Sequence, residues 1–173
     1  SNLDEFFEIR IAGIKEQLRA KVAPPGLTMP EARELFARVG EEARALIAEQ
    51  YRVLNDQVLP ALAESGIRLV RRTEFTRAEQ EWGARYFAQE VRPLLTPIGL
   101  DPAHPFPQVV NKSLNFIIAL TGKDAFGRGT GIAIVKAPRV LPRVIKLPDN
   151  LSRNGGTSFC LLSSVIHSHI EDL

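Results

Sequence analysis

Leu62-Ala63-Glu64-Ser65-Gly66-Ile67-Arg68-Leu69-Val70 is the stretch in which the chain changes period. Upstream of it, apolar residues recur every three or four positions; downstream, they come in short runs between turn residues. Ser65-Gly66 ends a helix, because glycine takes the left-handed conformation that closes one at little cost. Ile67–Val70 then reads as a short strand. The change divides the chain into a helical part, residues 1–66, and a mixed part, residues 67–173, which together predict an α+β fold.

Upstream, Thr28 caps a long helix with Pro30 in its first turn, and Glu31 and Glu34 sit where the helix dipole favours acids. Its stripe runs through Ala32, Leu35, Phe36, Val39, Ala43, Leu46, Ile47, Gln50, Leu54, Val58 and Leu62, with a kink predicted at Pro60. An earlier helix is predicted over 3–21, its stripe formed by Leu3, Phe6, Phe7, Ile11, Ile14 and Leu18. Asn2 with Glu5 three residues on resembles a capping box. Ala23-Pro24-Pro25-Gly26 separates the two helices. Two amphipathic helices cannot cover both of their apolar faces, so a portion of a larger helical bundle is expected. The first stripe starts with the first residues, as if the chain were entered midway.

Downstream, Thr76 caps a third helix with Glu79 at its capping-box position, and Pro93 and Pro97 close it. Asp101-Pro102-Ala103-His104-Pro105-Phe106-Pro107 reads as a rigid extended linker. Strands are predicted at 114–120, 131–136, 144–147 and 157–161, mainly antiparallel, and a last helix from about Ser163 through Asp172. Glu171-Asp172-Leu173 carries no helix stop signal, so this end also reads as cut.

Of the 173 residues, 45% are hydrophobic and 24% charged, the balance of a folded globular chain. A single cysteine, Cys160, excludes an intrachain disulfide and a cysteine-based zinc cage and points to a reducing compartment. The longest apolar run, Phe116 to Leu120, is five residues, far short of a membrane span. Ser1-Asn2-Leu3-Asp4-Glu5 is acidic where a secretory signal would be basic, so a cytoplasmic location is expected. Residues 1–66 carry 8 basic and 11 acidic side chains, and residues 67–173 carry 14 and 9. Within 102–153 the count is 8 to 2, which is either a solvated basic surface or a face for an anionic partner.

The search for chemistry finds no catalytic constellation and no metal site. Gly127-Arg128-Gly129-Thr130-Gly131 lies between two predicted strands rather than between strand and helix, so a hairpin loop is expected instead of a phosphate cradle. His167 and His169 are two apart on a predicted helix and face different sides. His104 is wedged among prolines, Cys160 lies in an apolar run, and Ser163-Ser164 has no local base. Arg10 falls on or beside the first apolar stripe, where a free cation is costly. With Asn2 eight residues earlier it offers an amide and a guanidinium to an anionic ligand; the structural alternative is a cap and an arginine bridged to a neighbouring helix.

Four segments resemble the polyphosphate kinase family. Ser1-Asn2-Leu3-Asp4-Glu5-Phe6-Phe7-Glu8-Ile9-Arg10-Ile11-Ala12 is similar to its S-N-L-D-E-F-F-x-V-R-x-A segment, and Leu95-Thr96-Pro97 with Asp101 and His104-Pro105-Phe106-Pro107 to its L-T-P-x-x-x-D-x-x-H-P-F-P linker. Asn111-Lys112-Ser113-Leu114-Asn115, then Val135-Lys136-Ala137-Pro138-Arg139 and Leu141-Pro142-Arg143, continue in the family's order. Gln108-Val109-Val110 and the glycine-rich 127–131 loop depart from it. The resemblance implies the later helices of an N-terminal helical domain (1–66) and much of a small α/β head domain (67–173) of a longer enzyme. That enzyme moves the terminal phosphate of ATP reversibly to polyphosphate through a phosphohistidine, with magnesium. The resemblance places the phosphohistidine and the magnesium ligands in carboxy-terminal domains, so His104, His167 and His169 are not expected to take that role and this chain alone is expected to be inactive. It makes Asn2 an ATP contact on the adenine side and the head domain a contributor to a homo-oligomer, a dimer or tetramer, in a cytoplasmic enzyme with room for association of the full-length complex with a membrane. Arg10 matches the family's arginine in position, and an anion contact is expected of it. The other readings are a stand-alone polyanion- or nucleic-acid-binding module and a purely dimerising one. Only Phe106, Phe116, Phe126 and Phe159 are aromatic in the basic part, so no specific nucleic acid is expected.

Overall fold

The computed structural model describes residues 2–100, 106–110, 112–122 and 131–173. The chain divides into two compact units, residues 1–60 and 61–173. In the first, α1 (Asn2–Glu5), a π-helical turn over Phe6–Ile11 and α2 (Ala12–Arg19) follow one another without a break. Asn2 is the first helical residue rather than the residue ahead of the helix. A turn with Lys21 and Gly26 in the left-handed region (φ 57° and 81°) leads to α3 (Met29–Val53), which packs back against α2. Thr28 caps α3 as predicted, and the cap is a full box: the Thr28 amide donates to Glu31 Oε2 at 2.8 Å and the Glu31 amide to Thr28 Oγ1 at 3.4 Å.

Among the described residues of this unit Ile11, Pro24, Ala32 and Ala43 are buried, with Leu35, Phe36 and Val39 half-buried. From Leu46 the stripe of α3 stays open, with Leu46, Ile47, Tyr51, Leu54 and Val58 all exposed. Pro60 does not break the helix. The turn ahead of it, Leu54–Val58, widens to π geometry, with the Leu59 amide donating to Leu54 O, and α4 (Leu59–Glu64) carries on. Phe87–Val91 does the same ahead of Pro93, the Arg92 amide donating to Phe87 O. A proline ring crowds the carbonyl four residues back and offers no amide of its own, and opening the preceding turn by one residue relieves both problems.

The second unit holds two three-stranded sheets. In one, β1 (Ile67–Leu69) pairs with β6 (Thr157–Leu161) in parallel and β6 with β5 (Val144–Lys146) antiparallel. In the other, β4 (Ile132–Lys136) lies between β2 (Pro97–Gly99) and β3 (Asn115–Ala119), antiparallel to both. Strand β2 was hidden in the sequence by Pro97, which the fold accommodates at the start of an edge strand. The last helix is shorter than predicted: α6 (Leu162–Ser168) stops at His169 and a 3₁₀ turn over Ile170–Asp172 follows. Phe87, Val91 and Leu95 meet Val135, Ile145, Leu147, Cys160, Leu162, Val165 and Ile166 in one apolar core.

Two contacts fix this arrangement. At the start of β6 the Thr157 amide donates to Gly66 O at 2.7 Å, and Gly156 passes so close that an added Cβ would stand 2.2 Å from that same oxygen. The second contact involves α5 (Arg77–Tyr86), whose capping-box residue Glu79 is 1% exposed. Glu79 Oε2 accepts from the Thr76 amide at 2.7 Å, and the Arg153 guanidinium grips both carboxylate oxygens at 3.1 and 2.6 Å while donating to Glu74 O at 2.7 Å. Burial pushes the Glu79 carboxyl upward, but the bonds from Arg153 and Thr76 outweigh it and hold the group below its ordinary 4.5.

Gly156→Ala should destabilise the chain by about 2 kcal/mol or more, since backbone rather than a flexible side chain blocks the new methyl; an unchanged urea midpoint would refute the close approach. A carboxyl held below its unfolded pKa stabilises the fold above that value, and the contribution disappears as pH falls through the folded one. Urea midpoints should therefore fall on acidification below 4.5 more steeply in the native chain than in the Glu79→Gln, Arg153→Met double variant, where the titrating pair is gone.

Candidate functional site

The first helix carries the feature that the sequence singled out. Residues eight apart on an ideal α-helix stand about 80° from each other around the axis at 3.6 residues per turn. The π turn over Phe6–Ile11 contains one extra residue and takes that offset back, the Ala12 amide donating to Phe7 O. Asn2 and Arg10 consequently line the same surface hollow, about 300 Å³ in volume, together with Glu5, Phe6 and Ile9.

The same turn rearranges the predicted stripe. Ile11 takes the buried position, Phe7 is half-buried, and Phe6 turns outward, its ring edge-on to Phe7 with centroids 5.8 Å apart. The stripe predicts Phe6 in the core, but it forms a wall of the hollow. Ile9 was not singled out; two consecutive phenylalanines, which cannot both face one core, were the available signal. Arg10 is exposed, and among the described residues no carboxylate pairs with it, so the bridge to a neighbouring helix is not formed. Chemically the hollow offers an amide and a guanidinium as donors beside two apolar walls. It holds no nucleophile and no base other than the Glu5 carboxylate.

The other sequence candidates are scattered. His104 and residues 127–130 of the glycine-rich loop lie outside the described residues. His167 is exposed on α6, whereas His169, at the end of that helix, stacks on buried Phe87 with ring centroids 5.0 Å apart. Cys160 is fully buried, and burial with the nearby Glu79 charge pushes its thiol up to about 11, consistent with a core residue rather than a nucleophile. Among the described residues no three of His, Cys, Asp or Glu are placed to hold a metal ion. Among the described cations of the basic stretch, Arg153 is committed to Glu79, and Lys146 pairs with Asp149 at 2.8 Å. No helix among the described residues is long and apolar enough to cross a membrane.

Residues 1–70 match the family model of the polyphosphate kinase N-terminal domain, and residues 78–173 that of the polyphosphate kinase middle domain. A polyphosphate kinase of Pseudomonas aeruginosa is 50% identical over 176 aligned residues, which take in 100% of this chain and 25% of the relative. One of Neisseria gonorrhoeae is 49% identical over 175, again 100% of this chain and 25% of the relative. The crystal structure of polyphosphate kinase from Porphyromonas gingivalis superposes with a TM-score of 0.78 at 25% identity, over 99% of this chain and 24% of that one. The chain thus spans about a quarter of the length of the curated relatives it matches. Both domain models, met in order along one chain whose helical and mixed units carry the quoted motifs, place it in the polyphosphate kinase family.

Proposed function

We propose that this chain supplies the adenine-side nucleotide contacts and part of the assembly surface of a longer polyphosphate kinase. In that enzyme the bond between the terminal phosphorus of ATP and its bridging oxygen breaks, the phosphoryl group passes to a histidine nitrogen and then to the terminal oxygen of a polyphosphate chain, and ADP leaves. The histidine and the magnesium site belong to domains beyond these 173 residues, so the chain alone is inactive. Residues 1–66 act as the later helices of the helical domain and 67–173 as the head, which takes part in a homo-oligomer in the cytoplasm.

The shared hollow of Asn2 and Arg10 carries this reading. The Asn2 amide can both donate to and accept from a base edge. Phe6 and Ile9 give an apolar surface for a base or ribose, and the Arg10 guanidinium suits phosphate oxygens. All of these act by binding and orientation, which lower the barrier only through the geometry they impose on the reacting phosphate.

Asn2→Ala in the longer enzyme should raise the KM for ATP about tenfold, the size of one or two net hydrogen bonds, with the KM for polyphosphate unchanged. Equal KM values for ATP in variant and parent would overturn the assignment. Arg10→Leu should leave the thermal midpoint within about 2 °C of the parent, because the side chain is exposed and without an internal partner, while weakening ATP use. A large loss of stability would show that Arg10 is structural.

A further inference from the structure

The second unit has a hollow that none of the quoted motifs predicts. Four polar side chains converge on it: Arg72 from the turn ahead of α5, Gln80 from α5, Ser168 from the end of α6 and His169 just beyond it. Phe75 and Val165 give it an apolar floor, its volume is about 300 Å³, and no carboxylate lines it. That size is at the small end of ligand pockets, which typically combine an apolar lining with a few convergent polar groups.

Two details make the donors available. His169 is held from behind, its ring against Phe87 at 26° and its Nδ1 3.2 Å from Asp172 Oδ2, so Nε2 is the nitrogen left to meet a ligand. Gly83 lies opposite: a Cβ there would stand 4.0 Å from Nε2, and the bare glycine leaves that space open. Arg72, for its part, is exposed, and among the described residues its guanidinium makes no ion pair or hydrogen bond. The Gln80 amide nitrogen already donates to Phe75 O at 3.3 Å, which fixes that side chain at the rim.

We propose that this hollow is a binding site for a phosphoryl group. A guanidinium fork, an imidazole and a hydroxyl, with no carboxylate among the lining, match the several acceptor oxygens and the negative charge of a phosphate. The phosphate comes either from an inorganic polyphosphate chain or from a nucleotide. The site does not rest on the reading of Asn2 and Arg10, which belong to the other unit.

The test follows the imidazole NMR signals of His169 in the 173-residue chain, assigned with a His169→Gln variant, while sodium tripolyphosphate and, separately, ATP are added. Saturable shifts are expected with at least one of them, and Arg72→Gln should weaken that binding about tenfold, the loss of one charge-assisted hydrogen bond. Arg77→Gln, which removes the same charge from a side chain outside the hollow, should leave it unchanged. Tripolyphosphate binding at least as well as ATP identifies the inorganic chain as the source, and ATP binding at least tenfold tighter identifies a nucleotide. No saturable shift with either ligand, or an equal effect of Arg72→Gln and Arg77→Gln, would overturn the proposal. The readout at His169 separates this outcome from any ATP bound at Asn2. Gly83→Ala gives a further check: it should hold or raise the thermal midpoint, since alanine is the better helix former, while weakening the binding seen at His169. Unweakened binding in that variant would overturn the role given to Nε2.

Discussion

The buried pair of Glu79 and Arg153 joins residues 74 positions apart in sequence, and the order of the second unit depends on it. Glu79 serves twice, as the reciprocal partner of the Thr76 cap that starts α5 and as the anchor for the loop that delivers Gly155, Gly156 and β6. A lone carboxylate that is 1% exposed would be prohibitively costly, and so would a half-buried guanidinium without a partner. Together with the Thr76 amide and Glu74 O they satisfy one another, so the loop has one low-energy position. From there β6 meets β1 at the Gly66–Gly156 contact, where backbone approaches too closely for any side chain. The parallel pairing of two strands separated by most of the unit follows from that fixed entry.

Proline shapes the helices by a different route. Ahead of Pro60 and of Pro93 the turn opens to π geometry and the helical backbone continues, shifting the register of its faces. The first helix shows the same geometry over Phe6–Ile11 without a proline. There the register shift turns Phe6 out, sets Ile11 in, and brings Arg10 under Asn2. A local change of one residue per turn thus converts a uniform amphipathic helix into one with a polar and apolar hollow on its outer face.

The basic stretch shows how charge counts in sequence and charge on a surface differ. Of the cations in 102–153, Arg153 is spent on an internal carboxylate and Lys146 on a neighbouring one. Among the described residues, Lys112, Lys136, Arg139 and Arg143 are exposed. The open stripe of α3, from Leu46 to Val58, behaves oppositely: periodicity announced it as buried, yet nothing in the first unit covers it.

Much was legible in the residues because it is local. Caps at Thr28 and Thr76, the helix end at Ser65-Gly66, the strand at 157–161 and the family motifs all depend on neighbours a few positions apart, where hydrogen-bond geometry and side-chain period act directly. Asn2 and Arg10 could be named for the same reason, being two positions on one helix. Their meeting in one hollow, the outward turn of Phe6, the strand at Pro97, the Glu79–Arg153 pair and the convergence of Arg72, Gln80, Ser168 and His169 could not. Each depends on elements distant in sequence or on a turn whose extra residue leaves no compositional mark, and burial and charge pairing select among such arrangements only once the whole chain is packed. The sequence by itself determined most of the helices and strands and the family they belong to, because those signals are local; the tertiary structure decided the strand at Pro97 and which side chains face one another, because packing and charge pairing act between distant segments.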